Sequence, residues 1–143
     1  MITTNAYLNF AGNCEEAFKT YEKILGGKII AMLKARGSPM EGHVAPDFLD
    51  KIMHARMTVG ATVIMGSDSP TNQSKPTQGF AVSVGVDTPA EADRIYAALA
   101  EGGKEAMPIA ETFWAHRFGM CVDRFGTPWM VNCEKPMMGR SAS

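Results

Sequence analysis

Apolar positions along this chain change period, from alternation to helical spacing and back, and the whole cycle occurs twice. Between residues 13 and 25, Cys14, Ala17, Phe18, Tyr21 and Leu25 recur at helical spacing and predict one apolar face. Asn13 stands where a cap is needed, and Glu15 and Glu16 suit the electropositive first turn. Gly26-Gly27 is placed to end this helix in a left-handed conformation. A second helix is predicted over 88–101, with Thr88 as cap, Pro89 at the first helical position and Gly102-Gly103 as the stop. Strand-like runs surround each helix. One precedes the first helix (4–10) and three follow it (28–34, 53–59 and 62–67), the last two joined at Gly60-Ala61, a hairpin signal. The same order returns around the second helix: 80–86 before it, then 104–108, 113–122 and 129–133, the last two joined through 123–128.

The two helices also align residue by residue. Glu16-Ala17 and Tyr21 match Glu91-Ala92 and Tyr96 at one constant offset, and Gly26-Gly27-Lys28 matches Gly102-Gly103-Lys104 after a one-residue adjustment. Shared cap, face and exit predict an internal duplication of a β-α-β-β-β unit. Module one is assigned to 1–68 and module two to 78–135, together one α+β domain over 1–135. Residues 69–77 contain Pro70 and Pro76 and nothing apolar, and are read as the linker. The stretch 35–52, long and rich in Gly and Pro, is expected to be a mobile arm over one edge. A disordered tail is expected over 136–143.

Composition narrows the classes of function. At 143 residues the chain can bury roughly two thirds of its unfolded surface, enough for a core without staples. Lys and Arg number 14 against 15 Asp and Glu, so no strong field draws nucleic acid or an anionic membrane. No apolar run approaches the ~20 residues of a membrane helix. Met1-Ile2-Thr3-Thr4-Asn5 lacks the basic-then-apolar layout of a signal peptide, and a cytoplasmic setting is expected. Cys14, Cys121 and Cys133 form neither a disulfide framework nor a C-x-x-C pair, and are expected to be small buried hydrophobes. The 11 methionines are read as core fillers or as the lining of an adaptable pocket.

Several stretches carry a family resemblance. They are Tyr7-Leu8-Asn9-Phe10 followed by Gly12-Asn13 and Glu16-Ala17, then Met53-His54-Ala55 before the Gly60 hairpin. In the second half they are Phe113-Trp114 with Arg117-Phe118-Gly119, and Asp123-Arg124-Phe125-Gly126 with Trp129. In this order and spacing, the chain from Asn5 to Glu134 resembles the vicinal oxygen chelate superfamily of glyoxalases, bleomycin-resistance proteins and dioxygenases, and within it the PhnB-like branch. The resemblance implies a glyoxalase-like fold, in which two modules form a curved mixed sheet around a cavity with the helices on the outer face. It also implies a divalent metal in that cavity, held by His, Gln or Glu from the first and last strands of the modules.

Carried over position by position, those metal sites hold poor ligands. The first strand offers Asn5 or Ala6, the fourth has only Asp68 at its end, the fifth offers Phe80 or Ala81, and the last offers Met130, with Asn132 and Glu134 further along its face. No metal site of the family type is therefore expected, and no cofactor is assigned. His43, His54 and His116 show no local H-x-H or H-E-x-x-H spacing either. Nor is there a glycine-rich strand-to-helix loop for a nucleotide-type cofactor, although some relatives carry a methyltransferase-like label.

The polar residues that remain supply the candidates for binding. His54, Arg56 and Thr58 share one strand face, where His54 can act as a general base and Arg56 can hold an anion. Alternation alone does not say whether this face meets a cavity, solvent or a partner subunit. Trp114, His116, Phe118 and Met120 share a face of the seventh strand, with Arg117 on the other; Trp114 either floors a pocket or belongs to the core. Asp123 to Gly126 is read as a turn, Trp129 as core and His43 as surface. The expectation is a protein that binds a small molecule between its modules through His54, Arg56, Trp114, Arg117 and Asn132, without a metal. The alternative is a metal-dependent lyase, isomerase or dioxygenase of the glyoxalase kind. A homodimer is expected because the open sheet edges need cover.

Overall fold

Two compact units, divided between residues 76 and 77, make up the chain in the computed structural model. The structure describes residues 1–69 and 77–136. Most of the expected linker (70–76) and of the expected tail (137–143) lies outside the described residues.

The first unit runs β1 (Ala6–Phe10), α1 (Cys14–Leu25), β2 (Lys28–Lys34), two single 3-10 turns (Glu41–His43 and Pro46–Phe48), β3 (Ile52–Val59) and β4 (Thr62–Asp68). Its sheet is ordered β1-β4-β3-β2, with β1 parallel to β4 and the other pairs antiparallel. The second unit runs β5 (Val82–Gly85), α2 (Pro89–Ala100), β6 (Lys104–Ala110), β7 (Ala115–Val122) and β8 (Pro128–Glu134), ordered β5-β8-β7-β6 with β5 parallel to β8. Counted within each unit the strand order is the same, and the duplication predicted from sequence is a duplication of topology. Strand ends differ by one or two residues. Edge strand β6 also runs through Pro108, which an edge tolerates because no ladder partner needs its missing N–H.

Each helix covers one face of its own sheet. On α1 the buried residues are Cys14, Ala17, Phe18, Tyr21 and Ile24, so Ile24 rather than Leu25 completes the stripe. Phe10, Phe18 and Tyr21 meet as an aromatic cluster with ring centroids 6.1–6.4 Å apart, and Leu8, Ala55, Met57 and Ile64 are buried with them. On α2 the stripe is Ala92, Ile95, Tyr96 and Leu99, and the strands beneath bury Cys121, Trp129, Val131 and Cys133. All three cysteines are buried and free.

The two helices start differently. Thr88 caps α2 as predicted, its hydroxyl accepting from the Glu91 amide at 3.2 Å. Asn13 makes no side-chain cap on α1. Asp68, at the end of β4, takes that role from 54 residues away, accepting from the amides of Gly12 (3.0 Å) and Cys14 (2.9 Å) through Oδ1 and from Ile52 (2.9 Å) through Oδ2. A carboxylate suits the positive end of a helix better than an amide. Gly26 closes α1 in the left-handed conformation, at φ 67°. No helix among the described residues is long and apolar enough to cross a membrane.

Candidate functional site

Strand alternation leaves each sheet a second face, turned away from its helix. In β3 the residues buried beneath α1 are Ala55 and Met57, which places His54, Arg56 and Thr58 on the opposite face. Cross-strand register adds Leu33 beside His54, Met65 beside Arg56, and Tyr7 beside Met65. The Tyr7 and His54 rings stack at 5.8 Å with 26° between their planes, and the Tyr7 hydroxyl lies 3.3 Å from His54 Nδ1. That separation is long, and which atom donates depends on the histidine tautomer. Arg56 Nη1 lies 3.9 Å from the Met65 sulfur, and among the described residues no carboxylate pairs with the guanidinium. A half-buried guanidinium beside a phenol-imidazole pair has the chemistry of an anion site.

In the second unit, Trp114 packs against Phe113 at 4.8 Å and against Phe118 at 5.3 Å. Phe118 pairs in register with Asn132, so Trp114, Phe118 and Asn132 gather on the face away from α2. Asn132 Nδ2 donates to Glu134 at 3.1 Å, while its Oδ1 is buried without a hydrogen-bond partner among the described residues. A small cavity of about 340 Å³ lies there, lined by Gly85, Val86, Asp87, Asn132 and Glu134. Arg117 stands apart from these. It projects toward α2, and its Nε donates to Asp93 at 2.7 Å. Its charge therefore serves the helix–sheet contact, and the structure groups it with neither cluster.

Two positions read as structural from sequence are structural. Asp123 is buried and accepts from the Phe125 and Thr127 amides (both 2.9 Å) and from the Trp129 indole (2.8 Å), so it builds the turn and anchors the core tryptophan. Sequence reasoning missed one concavity. About 690 Å³ opens beneath the 35–52 arm, lined by Gly12, His43, Val44, Asp47, Phe48, Lys51, Met53 and Ser67 among others. The only signal for it was the length of the arm itself.

The residues present do not fit a metal of the family kind. Ala6 pairs with Ile64 and Met130 with Ser83, so two of the expected ligand positions hold apolar side chains. Asp68 is buried and already accepts three amides. Among the described residues no three His, Cys, Asp or Glu side chains converge.

Comparison with known proteins agrees with this fold. The family model described as 3-demethylubiquinone-9 3-methyltransferase matches residues 2–132. Protein YjdN of Escherichia coli K12 is 34% identical over 137 residues, covering 90% of this chain and 93% of its own. The crystal structure of protein PA1353 from Pseudomonas aeruginosa superposes with a TM-score of 0.86 at 47% identity, covering 95% of this chain and all of that one. The Bacillus cereus PhnB protein, described as a putative 3-demethylubiquinone-9 3-methyltransferase, gives a TM-score of 0.78 at 22% identity over 92% and 99% of the two chains. A glyoxylase/bleomycin resistance protein/dioxygenase domain from Frankia sp. EAN1pec gives 0.63 at 11% identity over 94% and 97%. These last two likenesses are likenesses of fold, and the fold they share is the glyoxalase-like one.

Proposed function

The chain belongs to the family described as 3-demethylubiquinone-9 3-methyltransferase, the PhnB-like branch of the vicinal oxygen chelate superfamily, and from that premise we propose that it binds a small organic anion without a metal. The ligand's charged group is held by Arg56, and its flat or apolar body lies along Tyr7 and His54. One observation carries this reading: Arg56 has no carboxylate partner among the described residues, while Tyr7 and His54 stack on the same sheet face. A half-buried guanidinium without a carboxylate partner favours a bidentate oxyanion, and a paired phenol and imidazole give the ligand a surface and a second polar contact. The second unit, taken by itself, offers a further acceptor in Asn132 Oδ1, unpartnered among the described residues, and an aromatic surface in Trp114.

Methyl transfer, which the family's description names, is not part of this reading. The β1–α1 connection is only 11–13, and the amides of Gly12 and Cys14 are engaged by Asp68. No open glycine-rich loop is left there for a nucleotide-type cofactor. The homodimer belongs to the same reading, since each sheet ends in edge strands that a second subunit can cover.

The test is a thermal-shift screen with phosphate, sulfate and phenyl phosphate, because a ligand that binds only the folded chain raises its melting temperature. Phenyl phosphate is expected to stabilise the wild type, and Arg56→Ala to remove the effect. Calorimetry with Ni²⁺, Zn²⁺ and Mn²⁺ addresses the rival metal-dependent enzyme. Stoichiometric metal binding that weakens in His54→Ala would overturn the proposal.

A further inference from the structure

The arm between β2 and β3 is built as a roof. At its base the Arg36 amide donates to the Leu49 carbonyl at 2.8 Å, and the Arg36 guanidinium grips Asp50 with two bonds of 2.8 and 3.1 Å. Ala35 and Ile52 are buried at its two ends. Between these anchors, the turns Glu41–His43 and Pro46–Phe48 hold Val44, Ala45 and Phe48 over the ends of β1 and β4. The half-open space of about 690 Å³ falls within the range of roughly 300–1,000 Å³ typical of small-molecule sites.

The lining carries the carboxylates of Asp47 and Asp68 and the ammonium of Lys51. Asp68 is on the wall, but three amides and the positive end of α1 already offset its charge. Asp47 is exposed. Lys51 is half-buried, and its Nζ donates to the Gly12 carbonyl at 2.9 Å. An ammonium has three donors, and among the described residues Lys51 has neither a second acceptor nor an ion-pair partner. Neither lining carboxylate, Asp47 or Asp68, is hydrogen-bonded or ion-paired to the Lys51 ammonium, so its remaining donors face the cavity. Next to it, Val44, Phe48 and Met53 provide an apolar surface that suits a hydrocarbon chain.

We propose that this cavity is a second ligand site, separate from the Arg56 face, and that it takes a small aliphatic carboxylate. The carboxylate sits on the Lys51 ammonium and the chain lies against Phe48, Met53 and Val44. The full-length protein is titrated with hexanoate while its ¹⁵N–¹H amide spectrum is followed, with hexylamine as the control of opposite charge. Saturable shifts are expected at Gly12, Val44, Ala45, Phe48 and Lys51, and none with hexylamine. Lys51→Gln keeps a donor for the Gly12 carbonyl but loses the charge, and is expected to bind hexanoate at least ~tenfold more weakly. Lys51→Arg keeps the charge and is expected to keep binding. No saturable shift in the wild type, equal affinity in Lys51→Gln, or saturable binding of hexylamine would each overturn the proposal. Phenyl phosphate is read at Tyr7, His54 and Arg56, so the two sites succeed or fail separately.

Discussion

Asp68 and Asp123 are both buried, and each takes hydrogen bonds from parts of the chain that would otherwise hold buried donors unmet. Asp68→Ala orphans three amides at once, two of them at the start of α1. It is expected to lower stability by about 3–5 kcal/mol, read from the urea midpoint. Asn13→Ala is expected to cost less than ~0.5 kcal/mol, since Asn13 makes no cap bond. This contrast marks a limit of reading sequence. Local rules pointed to Asn13, and a partner 54 residues away cannot be seen from spacing. The cysteines were legible, and their burial has a consequence for pH. Burial first, then Asp68 and Glu15, pushes the Cys14 thiol up to about 12; burial, then Asp123 and Glu105, pushes Cys121 to about 11. Both lie above the ordinary 9.0, so the unfolded chain loses these protons first as pH rises. Their contribution to stability is full below about pH 9 and is lost as pH climbs through 11 and 12. The urea midpoint is expected to fall above pH 9, less steeply in Cys14→Ala, and a thiol reagent is expected to leave Cys14 and Cys121 unmodified until the chain unfolds.

At the scale of elements, each helix is seated on its sheet by a tyrosine at the same place in the repeat, Tyr21 in α1 and Tyr96 in α2. Tyr96 lies so close to β7 that a Cβ at Gly119 would sit 2.8 Å from its ring, and its hydroxyl reaches the Met107 and Met120 carbonyls at 3.1 and 3.3 Å. Gly119→Ala must push the helix or the ring aside. A loss of about 2 kcal/mol is expected, measured by chemical unfolding. Helices and strands were legible because their periods are strong and their stops, such as Gly26 and Gly102, are chemically explicit. The arm was not. It lacks periodicity, so the anchor of Arg36 on Leu49 and Asp50 and the cavity beneath it emerge only when distant residues meet.

Across the whole molecule, the duplication explains both what the sequence made plain and what it hid. Repetition of cap, stripe and exit was enough to specify two β-α-β-β-β units, while the metal positions, two of which hold Ala6 and Met130, were implied only by the family resemblance. The candidate site was legible only in part, because alternation says that His54 and Arg56 share a face without saying which face the helix covers. Burial of Ala55 and Met57 decides it. For Arg117 the same logic gives the opposite result, since the Asp93 partner lies on α2. The two arginines therefore provide an internal control. The decisive measurement is calorimetry of phenyl phosphate against the wild type, Arg56→Ala and Arg117→Ala. The account predicts that Arg56→Ala loses at least ~tenfold in affinity while Arg117→Ala binds as the wild type does. Undiminished binding by Arg56→Ala, or an equal loss in both variants, would contradict it.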